Sequence, residues 1–278
     1  MTTFEIVHPE DYLREYSRLG AALGVPDAAP APGEVEWLTE VTARDWRGIG
    51  MLPPADAFFA AAVASILAPP VLLEIGTASG FSAALFAKML ALREQERGAA
   101  GKGPLVHTID KKADFCFDQT QRVGFVIERV TPELRGRIAL HPLHDSALCS
   151  SLTKPGELRL AFVDGNHQHP WPLVDVMRLQ SRMTGGWLLL HDIDLPALLT
   201  GAHAHGKMLD FAPNAGAQHV FDFWPGEKIT AGNIGAVKVP ADPHSLGEML
   251  VKLRALPAEV SAGSWKKRWR EIEETRAG

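Results

Sequence analysis

The chain has 278 residues, 46% of them hydrophobic and 22% charged, and carries a net charge of −5. This is the composition of a globular protein with a substantial core, and its acidic balance excludes the global basic field that gathers nucleic acid. Two cysteines, Cys116 and Cys149, are too few for a disulfide scaffold and too far apart for a Cys-x-x-Cys site. No apolar run approaches the ~20 residues of a membrane helix and the N-terminus has no apolar signal core, so a cytoplasmic location is expected.

Apolar residues at helical spacing predict helices over residues 11–23 and 56–67, separated by a Pro- and Gly-rich loop at 28–33. Residues 1–66 read as a helical cap, in which Trp37, Trp46, Phe58 and Phe59 are core aromatics or a substrate wall. From Val71 a regular alternation begins. Strands are predicted at 71–75, 105–109, 138–141, 158–163 and 187–191, with helices at 81–93, 115–129, 147–152 and 172–182. The stretch 97–103 reads as a surface loop. Near-continuous apolar strands alternating with helices indicate a parallel sheet covered on both faces. Residues 218–224 and 234–239 read as two last strands forming an antiparallel edge hairpin, and 245–256 and 265–275 as helices. The basic run 266–270 is followed by acids and reads as a solvated helix face. The expected fold is α/β: a Rossmann-like parallel sheet with an antiparallel edge hairpin strand, helices on both faces, an N-terminal helical cap (1–66), a central domain (67–241) and a C-terminal helical tail (242–278).

In such a sheet, ligands bind beyond the carboxyl ends of the strands. The first central strand ends in Glu74-Ile75-Gly76-Thr77-Ala78-Ser79-Gly80-Phe81-Ser82, a tight turn into a helix. A dinucleotide site puts its glycines first and its acid about 20 residues later. Here the acid Glu74 precedes the glycines, where it would repel a pyrophosphate and suit a cationic or hydroxyl-bearing ligand. The later strands end in Asp110, in Asp145-Ser146, in Asp164-Gly165-Asn166-His167 and in His191-Asp192-Ile193-Asp194. Every crossover thus delivers polar or acidic residues to one rim, and Asp110 is placed to accept from two ribose hydroxyls.

This series resembles class I S-adenosylmethionine-dependent O-methyltransferases over roughly residues 70–240. Glu74, Gly76 and Gly80 are similar to their first motif, with Ala78 in place of a commoner middle glycine. The Asp164–His167 and His191–Asp192 segments resemble notably those of the macrocin/macrolide sugar O-methyltransferases and cephamycin-pathway methyltransferases. The resemblance implies S-adenosylmethionine held by Glu74, Gly76, Thr77, Ser79, Gly80, Ser82, Asp110, Asp145, Ser146 and Asp164. It implies a divalent cation (Mg, Mn or Fe) on Asp164, His191 and Asp192, with His167 as the catalytic base beside Asp164. Residue 191 is a histidine where the macrolide enzymes have an acid, which leaves the metal open. The implied activity is O-methylation of a small-molecule hydroxyl (sugar, catechol-like or other natural product), with no nucleic-acid or membrane partner and with homo-oligomerisation open. Two alternatives stay open: a nicotinamide-dependent oxidoreductase and a non-catalytic S-adenosylmethionine-binding subunit. His141 and His144 read as structural, and His203 and His205 as residues of a loop beside the site.

Overall fold

A computed structural model describes residues 1–44, 51–99, 101–198 and 214–259. Its centre is one eight-stranded sheet in the order β1-β7-β8-β6-β5-β2-β3-β4. The strands are β1 (Thr2–Thr3), β2 (Leu72–Ile75), β3 (Val106–Asp110), β4 (Ile138–Pro142), β5 (Leu158–Val163), β6 (Met183–His191), β7 (Lys228–Ala231) and β8 (Ile234–Lys238). The helices are α1 (Pro9–Leu23), α2 (Glu34–Ala43), α3 (Pro54–Leu67), α4 (Phe81–Glu96), α5 (Ile127–Val130), α6 (Cys149–Leu152), α7 (Trp171–Gln180), α8 (Gly216–Phe223) and α9 (Gly247–Ala255). Only β8 pairs antiparallel, with β6 on one side and β7 on the other. The Rossmann-like sheet and its antiparallel hairpin are therefore as expected, with β1 added in parallel outside the hairpin.

Two expectations change. Residues 218–224 are not a strand. They lie in α8 and its C-cap, because Ala217, Val220 and Phe221 are buried at helical spacing. The aromatic, β-branched composition of Val220-Phe221-Asp222-Phe223 had suggested alternation. The first hairpin strand is β7, which joins β8 through Gly232-Asn233. Trp224 is nevertheless core, its indole donating to the Lys238 carbonyl at 2.9 Å. Residues 115–129 are helical only in α5. Asp118 accepts from Thr120 N and closes a local turn, and Phe115 N donates to the Gln121 carbonyl, so turn chemistry competes successfully with the helix. Helix α2 and strand β1 had no sequence expectation. Trp46, His203, His205 and residues 265–275 lie outside the described residues.

The sheet divides the core. On one face α3 and α4 bury Phe58, Phe59 and Phe86 against Phe162 of β5, with Phe86 and Phe162 rings 5.2 Å apart edge to face. Residues Tyr12, Tyr16, Leu19 and Leu38 of α1 and α2 join this same cluster, and Trp37 packs partly buried against it. The N-terminal helices thus share one continuous core with the sheet. A buried polar network pins them there. Glu34 accepts from Tyr12 Oη, Ala31 N and Ser65 Oγ, and Arg93 of α4 donates to Ser65, Tyr16 and the Ala29 carbonyl. On the other face α7, α8 and α9 cover Leu73, Ile75, Ala161 and Val163. Among the described residues no helix is long and apolar enough to cross a membrane.

Candidate active site

Strand order reverses between β5 and β2, so their carboxyl ends frame the crevice where a doubly wound sheet takes its ligand. The two ends touch. Gly76 has φ 99°, and a Cβ there would lie 2.2 Å from the Asp164 carbonyl oxygen, so only glycine fits. Above this junction opens a cavity of about 610 Å³, within the range of small-molecule sites. Gly76, Thr77, Ser82, Asp110, Asp145, Ser146, Asp164, His167, His191 and Asp192 all line it.

At one end of the cavity lie the β2–α4 turn, Asp110 and the Asp145-Ser146 segment. Asp110 accepts from Ala78 N at 2.9 Å through Oδ2 and from Lys112 N at 2.8 Å through Oδ1. Each carboxylate oxygen keeps capacity for a second hydrogen bond. Asp145 caps the next turn through Ala147 N, and Ser146 bonds both Asp175 and Arg178 of α7. Ala78 stands at φ 45°, in the left-handed region where a side chain is strained. That explains why a glycine is the commoner residue there. Ala78→Gly is expected to stabilise the fold by roughly 0.5–1 kcal/mol, the relieved strain less the added unfolded-state entropy, read from the denaturant midpoint.

Glu74, Ser79 and Gly80 do not line the cavity. Ser79 is buried in the turn, and Gly80 caps the start of α4. Glu74 is fully buried and faces the α3–α4 side of the sheet, so the expected acidic turn facing a ligand is corrected. Thr108 of β3 donates to its Oε2, while Oε1 has no partner. Burial pushes this carboxyl up to about 8, against the hydroxyls of Ser82 and Thr108. It is therefore a neutral donor-acceptor at neutral pH. The raised value carries a sign: the unfolded chain loses the proton near pH 4.5 and the folded chain only near 8. Stability is undiminished below pH 4.5 and falls by about 1.4 kcal/mol per unit between the two values. Glu74→Gln should match wild type at pH 5 and exceed it at pH 8, measured by urea unfolding at both.

The other end holds the carboxylate–imidazole cluster. His167 Nε2 lies 3.0 Å from Asp192 Oδ2 and 3.7 Å from Asp164 Oδ1. Ligand-type atoms of Asp164, His167 and Asp192 all fall within 4.8 Å of one another. Asp192 sits at φ 58°, a strained conformation for a non-glycine residue, held by the β7–β8 turn. Asn233 donates through Nδ2 to Asp192 Oδ1, accepts from Asp194 N, and offers its carbonyl to Ile193 N. His191 differs from its expected role. Its Nδ1 is 2.9 Å from Asp164 Oδ1 and its Nε2 is 3.1 Å from Asp56 Oδ2. Burial opposes its charge, but Asp164 and Asp56 outweigh burial and hold the imidazole well above its ordinary value. A ring that donates through both nitrogens has none left for a metal ion, so the three-donor set that the structure assembles contains His167 rather than His191.

Sequence reasoning missed Asp56, Asn233 and Trp171. Asp56 stands in the first turn of an apolar helix, where an acid reads as a dipole complement. Asn233 reads as a turn residue. Trp171 opens α7 and lines the cavity, with Lys111 Nζ 5.0 Å from its ring centroid. His144 also lines the cavity, while His141 pairs with His107 at 3.0 Å on β3 and β4.

Residues 73–193 match the model of a family described as a methyltransferase domain. No curated protein matches the chain. Among solved structures it is similar to the cofactor-bound Rv0187 from MTB, at 16% identity over 81% of this chain and 95% of that one, with a TM-score of 0.48. It is also similar to the O-methyltransferase TomG from Streptomyces achromogenes, involved in Tomaymycin synthesis and solved with SAM (14% identity, 83% and 99% covered, TM-score 0.47). A third is the O-methyltransferase from Bacillus cereus in complex with SAH (16% identity, 81% and 99% covered, TM-score 0.45).

Proposed function

We propose that the methyltransferase domain at residues 73–193 makes this chain an S-adenosylmethionine-dependent O-methyltransferase acting on a hydroxyl of a small molecule. One observation carries the reading: the Gly76–Ala78 turn with Asp110, and the Asp164–His167–Asp192 cluster, open into the same cavity. S-adenosylmethionine supplies a methyl group already activated by a sulfonium. The residues at the first end fit it. Asp110 would accept from the ribose hydroxyls, and the β2–α4 turn and Ser146, with its Asp175 and Arg178 partners, would hold the rest of the cofactor.

The protein then has two tasks, to align the acceptor and to take its proton. His167 receives the proton on Nδ1, while its Nε2–H donates to Asp192 Oδ2, 3.0 Å away, which orients the ring and stabilises the imidazolium that forms. Asp56, His191 and the partly exposed Asp164 form a hydrogen-bonded chain behind it. Met51, Leu52 and Trp171 give the acceptor apolar walls. The acceptor is a sugar, catechol-like or related natural-product hydroxyl, and the setting is the cytoplasm.

A second reading of the same cluster is favoured by the three donor atoms within 4.8 Å. Asp164, His167 and Asp192 would hold a divalent cation, and two carboxylates with one imidazole suit Mn²⁺ or Fe²⁺ better than Mg²⁺. Such a cation would lower the pKa of a bound hydroxyl.

The test is a pair of titrations followed through tryptophan fluorescence, since Trp171 lines the cavity. S-adenosylhomocysteine should quench saturably at micromolar concentration while NADH does nothing. Saturable NADH quenching without a response to S-adenosylhomocysteine would return the assignment to the oxidoreductase alternative.

A further inference from the structure

The candidate base sits on the loop between β5 and α7, and the rest of the loop is held from far along the chain. Glu259, just beyond α9, accepts from His169 N at 2.6 Å through Oε2. The same carboxylate accepts from Ala215 N at 3.2 Å through each oxygen, and Glu259 N donates to the His169 carbonyl at 3.0 Å. Ala215 is the N-cap of α8, so the carboxylate lies at the positive end of that helix. A second strap comes from α8 itself. Gly216 N donates to the His167 carbonyl at 2.8 Å. A Cβ on Gly216 would meet the His167 carbonyl oxygen at 2.7 Å and His169 N at 2.8 Å, so the two segments touch backbone to backbone. The His169 ring is buried beneath, edge to face with His219 of α8. Within the loop, Asn166 Oδ1 accepts from Gln168 N.

We propose that Glu259 is a positioning residue for His167, acting through the 167–169 backbone and the start of α8. The reading rests on His167 being the base of the transfer. Its physical content is simple. A base must stand within hydrogen-bond reach of the proton it takes, and an ångström of displacement costs orders of magnitude in rate. The bonds within the β5–α7 loop, from Gln168 N to Asn166 Oδ1 and from Trp171 N to the Gln168 carbonyl, do not engage the His167 backbone. Glu259 joins three chain segments, at 167–169, 215–216 and 259, into one clamp, and thereby makes the segment after α9 part of the active site although it touches neither ligand.

The test is histidine-selective NMR of the full chain, with His167 assigned as the imidazole signal lost in His167→Gln. Glu259→Ala should shift and broaden the His167 signal and raise amide exchange at residues 167–169 at least tenfold, with the affinity for S-adenosylhomocysteine within twofold of wild type. Glu259→Gln keeps one acceptor oxygen for His169 N and should restore the His167 signal. Gly216→Ala pushes the same loop from the other side and should reproduce the alanine variant. Should Glu259→Ala not fold, Glu259→Asp, too short to reach His169 N, carries the same readout. An unchanged His167 signal in the Glu259 and Gly216 variants overturns the proposal, as does a glutamine variant that behaves like alanine. Failure of wild type to bind S-adenosylhomocysteine would sink the methyl-transfer reading instead and leave the His167 readout intact.

Discussion

His167→Gln is expected to lower methyl transfer by about 10²- to 10⁴-fold, the span that a positioned general base supplies, while S-adenosylhomocysteine binds as to wild type. The two halves of this result come from different ends of the cavity. His167 touches Asp192 and approaches Asp164, whereas the Gly76–Ala78 turn, Asp110 and Ser146 at the other end make no contact with it. Glutamine fills the same space and can hydrogen-bond, but it takes no proton. The assay is transfer of labelled methyl from S-adenosylmethionine to an acceptor drawn from catechols and sugars. Metal addition separates the two readings of the cluster. With His167 as base, added Mn²⁺ restores nothing in the variant. With His167 as a metal ligand, millimolar Mn²⁺ recovers part of the lost rate and EDTA abolishes wild-type turnover. Full activity in the variant without either effect removes His167 from the chemistry.

The part of this site that could be read in the sequence is the part written in strand ends. Strands β2, β5 and β6 hold short, largely apolar runs buried on both faces, and polar residues close them or follow at once, as Asp110 closes β3. Topology then fixes that Gly76, Asp110, Asp145, Asp164 and Asp192 meet at one rim. What could not be read is which way a side chain faces inside a strand and what reaches the rim from elsewhere. Glu74 is the clearest instance. In a strand buried on both sides an acid has no solvent face to reveal its direction. Leu73 and Ile75 point to the α7 side, and Leu72 and, by alternation, Glu74 to the α3–α4 side. His191 is another. Its position in the chain resembles that of a ligand, but Asp164 and Asp56, the latter 135 residues away, engage its two nitrogens and favour the charged ring. The two misplaced elements fail for a local reason: 218–224 has strand-like composition on a helical burial pattern, and 115–129 carries a turn that competes with the helix.

The buried Asp56–His191 pair carries the largest stability effect expected in this molecule. Asp56 is 2% exposed and His191 9% exposed, so solvent screens neither. Asp56→Ala removes the acceptor of His191 Nε2–H and, with Oδ1, the acceptor of Asn233 N, and Asn233 in turn holds Asp192 in its left-handed conformation. Breaking a buried pair from one side costs about 3–5 kcal/mol, roughly 10 °C in melting temperature for a chain of this size. Asp56→Asn keeps an acceptor for one of the two donors and should recover part of the loss. The pH dependence has a definite sign. The folded imidazole titrates well above 6.5, so its contribution is fully present below 6.5 and is lost as pH rises through the folded value. The gap between wild type and Asp56→Ala should therefore be widest in mildly acidic solution and narrow on the alkaline side. Glu74 also destabilises the fold toward pH 8, so the comparison is made in a Glu74→Gln background, by urea unfolding with EDTA present. A gap that stays constant from pH 6 to pH 10 would mean that His191 is uncharged in the folded protein, and that Asp56 holds the site through Asn233 alone.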